Sequence, residues 1–103
     1  MNKYSELSDF EINKKVAEKL GEEWFVTTTV WDELVVMVGS KCFKPCNNPS
    51  DAMPIIIENE ISMIKSSGGW MCCHGSVGHV YHGSLYRGAM ELFLMMKDTD
   101  NEG

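Results

Sequence analysis

The sequence predicts a single small α+β domain. Three observations carry this. A well-delimited amphipathic helix opens the chain, and an apolar helical pattern closes it. Two β-branched or aromatic hairpin patterns lie between, separated by an Asn-Pro turn that leads into three consecutive isoleucines. Strands paired with their sequence neighbours, with helices gathered on one sheet face, give an antiparallel sheet of two hairpins with an N-terminal, a short central and a C-terminal helix.

The first helix is predicted over Leu7–Leu20. Ser8 and Glu11 have the Ser-x-x-Glu spacing of a capping box, and Leu7 and Ile12 that of a hydrophobic staple. Ile12, Val16 and Leu20 form the apolar stripe, broadened by Ala17, and Gly21 is the stop signal. Lys14, Lys15, Glu18 and Lys19 fall elsewhere on the helix and read as a solvated polar face.

Trp24–Val30 and Leu34–Val38 have strand composition, with Trp31-Asp32-Glu33 as a glycine-free turn. Gly39-Ser40-Lys41 starts a loop into the central stretch, Cys46–Ile64. There, a tight turn is predicted over Asn48–Asp51, with a mostly buried helix starting near Asp51, so that Pro54 sits in its first turn. A proline deeper in a helix leaves a carbonyl without its donor. Asn59 is expected to end the helix in the left-handed conformation.

Ile61 to Lys65 alternate as a strand, Ser66-Ser67-Gly68-Gly69 turns, and Trp70–His74 returns. Gly75–Gly83 reads as a loop or irregular strand, in which Val80 and Tyr81 could pair with a neighbour. Ser84 can cap the last helix, Leu85–Lys97, which is apolar over so much of its circumference that it is either deeply buried or also touches a partner subunit. The domain is set at 1–97, with 98–103 as a disordered polar tail.

Composition bounds function. A net charge of −6 with a single arginine, Arg87, does not suit gripping a nucleic-acid phosphate backbone. No apolar run approaches the roughly 18 residues of a membrane span, and the N-terminus lacks the apolar core of a signal peptide. A cytoplasmic setting with four reduced cysteines is expected. Cys42, Cys46, Cys72, Cys73 and His74 could supply zinc ligands, but their spacing is not that of a zinc knuckle, and small hydrophobic thiols explain them as well. No metal or cofactor is assigned. No nucleophile, phosphate-loop or metalloprotease motif is present, so the chain is read as a non-enzyme.

Ligand binding has more candidates. Trp70 and Tyr81 offer stacking faces, Asn47 and Asn48 offer amides for a base edge, and Arg87 stands near a helix start, where an anion is favoured. Core packing for the aromatics, turn and cap duty for the asparagines, and an ion pair for Arg87, such as one with Asp51, are the competing roles.

Cys46–Ser62, with its Cys-Asn-Asn-Pro-x-Asp-Ala-x-Pro-Ile-Ile and Glu-Asn-x-Ile-Ser elements, resembles the signature of the NinX-like proteins of tailed bacteriophages. Tyr4–Ala17 is similar to that family's opening, and Leu85–Met96 to its closing segment. The three stretches cover about half the chain. Tyr86 is an extra residue beside the arginine, Gly88 replaces an alanine, and Met53 stands where a tryptophan is usual. The resemblance implies a small accessory protein made inside an infected bacterium and implies no catalytic residue. In that setting, the expected role is counter-defence by sequestering a small nucleotide-like signal in a pocket at a homo-oligomer interface. The alternative is a protein-binding inhibitor or regulator of a host factor.

Overall fold

A computed structural model of the chain describes residues 2–102, the side chains of 100–102 excepted. The order is α1 (Asp9–Leu20), β1 (Trp24–Thr28), β2 (Leu34–Val38), β3 (Lys41–Cys42), α2 (Pro49–Glu58), β4 (Ser62–Ser66), β5 (Gly69–His74), β6 (Gly78–His82) and α3 (Leu85–Glu102). The α+β class is as predicted. The hairpins do not merge into one sheet: each gains a third strand, giving separate antiparallel sheets of order β1-β2-β3 and β4-β5-β6. The segment 75–83, ambiguous in sequence, supplies β6, which pairs with β5 from Trp70↔His82 to His74↔Gly78.

The cap of α1 forms as its residues dictate. Ser8 Oγ accepts from the Glu11 N–H at 3.1 Å, and the Glu11 carboxylate accepts from the Ser8 N–H at 3.3 Å. The helix proper starts at Asp9, two residues later than predicted, because Ser8 is its cap, and Gly21 closes it at φ 74°.

Helix α2 departs from expectation. It starts at Pro49, not near Asp51, with Asn48 as the cap accepting from the Ser50 N–H at 2.9 Å. Pro54 therefore sits beyond the first turn. The carbonyl left without a helical donor belongs to Ser50, and both Ser50 and Pro54 are exposed, so water can serve it. Ile55 and Ile56 are buried, but Ile57 is 68% exposed. Asn59 does not turn left-handed. Its amide reaches back to the Ile55 carbonyl at 2.8 Å, and Glu60 takes the positive φ of 55°.

Helix α3 is the centre of the molecule. Arg87 to Leu94 are buried without a break, and the helix packs against α1, α2, β5 and β6. Its apolar circumference is thus covered within one chain. Gly88 permits the approach of the second sheet: a Cβ there would lie 3.1 Å from His82 Cβ and 3.4 Å from Cys72 Sγ. The helix continues past Lys97. Asp98 and Thr99, read from sequence as the start of a tail, lie within it, and Gly103 is outside the described residues.

Replacing Pro54 by alanine restores the donor to the Ser50 carbonyl without touching the core. Pro54→Ala should raise unfolding stability by about 2 kcal/mol, read as an upward shift in the urea midpoint.

Candidate ligand-binding cleft

The sole arginine is not a surface group. Arg87 is 6% exposed, and four of its five donors are engaged. Nε donates to Glu91 at 2.6 Å, Nη1 to Asp9 at 2.7 Å, and Nη2 to the carbonyls of Tyr4 and Leu7 at 3.0 and 2.7 Å. Glu91, 1% exposed, also accepts from the Asn2 amide at 3.0 Å. The predicted pairing with Asp51 does not form, since that carboxylate caps the Lys44 N–H at 2.9 Å. Arg87 instead pins the segment before α1, and the start of α1 itself, onto α3.

The five residues singled out from sequence do not assemble into one pocket. Asn47 meets Arg87 only across the Asp9 carboxylate, donating to its other oxygen at 3.4 Å. Asn48 is occupied as the α2 cap. Trp70 pairs across the sheet with His82, and Tyr81 with Met71, so the two rings lie on opposite faces. Trp70 is half-buried with the Lys65 ammonium 5.2 Å from its ring centre. Tyr81 is half-exposed, packs over Gly69 and donates its hydroxyl to the Ser67 carbonyl.

The cysteines are all free thiols, two of them deeply set. Burial, reinforced by Asp9 against the opposing charge of Arg87, pushes the Cys46 thiol up to about 12. Burial, with Cys73 and Glu91, pushes Cys72 up to about 11. Such thiols stay protonated near neutrality and are poor nucleophiles and metal ligands. Among the described residues no three His, Cys, Asp or Glu side chains cluster as a metal site would require.

The pinned N-terminal segment creates a cleft that sequence reading missed. It measures about 400 Å³ and is lined by Lys3, Tyr4, Leu7, Lys15, Glu18, Lys19, Leu94 and Asp98. Tyr4, Leu7 and Leu94 are its apolar lining residues, and three ammonium groups stand against two carboxylates in a chain of net charge −6. Asp98 is already committed: it accepts from the Tyr4 hydroxyl at 2.5 Å and pairs with Lys3 at 3.1 Å. Burial works against its charge, yet Tyr4, Lys3 and the more distant Lys19 outweigh this and hold the carboxyl below its usual range.

Lys15 and Lys19 stand one helical turn apart, a like-charge spacing that disfavours the helix. Neither has an ion pair among the described residues. Glu11, the natural partner one turn before Lys15, is turned back into the capping box. That combination was readable in the sequence. The approach of Lys3 and Leu94 was not, because it depends on contacts between the two ends of the chain.

Two outcomes follow. Arg87→Met should cost about 3–5 kcal/mol in urea unfolding, because Glu91 is left buried without its counter-charge, and Arg87→Met/Glu91→Leu should recover much of the loss. Stability should also fall under alkaline conditions. The folded thiol values of Cys46 and Cys72 exceed the ordinary 9.0, so their contribution is complete below pH 9.0 and disappears as pH rises through about 11 and about 12. A denaturation series across that range, with Cys72→Ala for comparison, measures it: the variant should show the shallower decline.

A family model described as "Bacteriophage P22, NinX" matches residues 3–97. No curated protein and no solved structure matches the chain.

Proposed function

The chain belongs to the bacteriophage P22 NinX family of phage accessory proteins, and we propose that it acts in the cytoplasm of the infected bacterium as a non-enzymatic binder that sequesters a small nucleotide-like host signal. The observation that carries this reading is the lysine-rimmed cleft between α1 and the end of α3. Its volume of about 400 Å³ lies within the range of small-molecule sites, and a lining that mixes apolar side chains with three lysines suits an organic body bearing phosphate. Lys15 and Lys19 would hold the anion, with Leu7 and Leu94 under the apolar part. Tyr4 and Asp98 fix the position of Lys3. The cleft is formed within one chain, so an oligomer interface is not required.

The test is thermal unfolding with a panel of cyclic nucleotides and ADP-ribose derivatives. Saturation a hundredfold above Kd stabilises the fold by about 2.7 kcal/mol, so one class of compound should raise Tm by several degrees. Lys15→Gln/Lys19→Gln should abolish the rise while leaving the ligand-free Tm nearly unchanged, because both side chains are exposed. An absence of any rise across the panel overturns the reading.

A further inference from the structure

A second surface, distant in sequence from the cleft residues of α1 and α3, has different chemistry. The loop between β1 and β2 consists of Val30, Trp31 and Asp32. The Asp32 N–H donates to the Thr29 carbonyl, and the Thr29 N–H to the Glu33 carbonyl, both at 2.9 Å. Thr29 Oγ1 also accepts from the N–H groups of Trp31 and Glu33, at 3.2 and 3.3 Å. This is a three-residue hairpin loop, whose last position is left-handed and ordinarily taken by glycine. Asp32 occupies it at φ 63°, a conformation that costs an L residue energy.

The firmly bonded turn holds two apolar side chains out in water: Val30 is 90% exposed and Trp31 85%. Leu34, about half-exposed, and Val26, 37% exposed, continue the apolar surface down one face of the hairpin. Folding alone gives no reason to place a tryptophan there, since it buries almost nothing. Exposed contiguous apolar surface of this kind marks an interaction site, and tryptophan is among the residues that carry most binding energy at interfaces.

The charge around it selects the partner. At the tip the charged residues are Asp32 and Glu33, Glu22 and Glu23 stand at the other end of the hairpin, and no lysine or arginine occurs from Glu22 to Val38. The one nearby cation in an ion pair, Lys44, lies 3.5 Å from Glu33 and is itself solvent-exposed. We infer that the β1–β2 hairpin is a docking element whose Val30–Trp31 tip enters an apolar pocket ringed by lysine or arginine on a partner protein. Hairpin-to-hairpin pairing of two copies would set acidic groups against each other, docking of the tip into the lysine cleft of another copy is the self-association that sedimentation tests, and an anionic lipid or nucleic-acid surface would be repelled.

The experiment pans a random-peptide display library on the whole chain and measures the affinity of the enriched peptides. Sedimentation of the unliganded protein is run alongside. Enriched sequences should combine aliphatic or aromatic cores with flanking lysine or arginine. Val30→Ser/Trp31→Ser should weaken their binding by about 30-fold or more, the loss typical of an interface hot spot, without lowering Tm. Asp32→Lys/Glu33→Lys should shift enrichment toward acidic flanks. Three results would each overturn the inference: no enrichment, enrichment indifferent to both variants, or a dimer that Val30→Ser/Trp31→Ser dissolves. Because neither variant touches the lysine cleft, the outcome is independent of the small-molecule reading.

Discussion

The Arg87–Glu91–Asp9 cluster is the interaction on which the rest of this molecule depends. A guanidinium and a carboxylate are both taken out of water on α3, and each is stable there only because its remaining polar atoms are met. Those partners come from Asn2, Tyr4, Leu7 and Asp9, all at the other end of the chain. Among the described residues no buried side-chain nitrogen or oxygen lacks a hydrogen-bond partner. Such a cluster specifies position more than it adds stability, because desolvation offsets most of its Coulombic gain. Here it specifies where the N-terminal segment lies and in which direction α1 leaves it.

That positioning is what gives the surface its shape. With the segment held against α3, Lys3 and Tyr4 reach Asp98, and Leu7 lies near Leu94, so a cleft opens between two helices that would otherwise simply pack side by side. Arg87 thus shapes the proposed binding surface without lining it. The charges divide accordingly. Positive groups gather at the cleft, while the β1–β2 hairpin is uniformly acidic around an apolar tip. One small domain in this way presents two surfaces of different charge, the one proposed to take a small anion and the other inferred to dock on a cationic protein surface.

Helix α3 also shows why the two sheets stay apart. It is buried on every side along its middle, packing against β5 and β6 as well as α1 and α2, while α1 covers β2. Each sheet therefore already has a helix packed against it and a third strand of its own. Neither needs to join the other to cover apolar surface.

Features set by neighbouring residues were legible in the sequence. Ser8 and Glu11 form their capping box, Gly21 turns left-handed, and Ser67-Gly68 closes its hairpin, because each depends only on groups a few residues apart. The α+β class followed from the same local patterns. What failed locally did so where solvent changed the balance: Pro54 is tolerated inside α2 because its orphaned carbonyl belongs to an exposed residue. The candidate site was the least legible part. By itself, the sequence determined the local elements, the acidic balance and the family resemblance. Only the tertiary structure decided that Arg87 is a buried tie rather than a ligand contact, and that Lys3, Lys15 and Lys19 share a cleft. The physical reason is that burial and charge pairing arise between opposite ends of the chain, as between Arg87 and Asp9, and no local pattern encodes which distant partner will satisfy a buried charge.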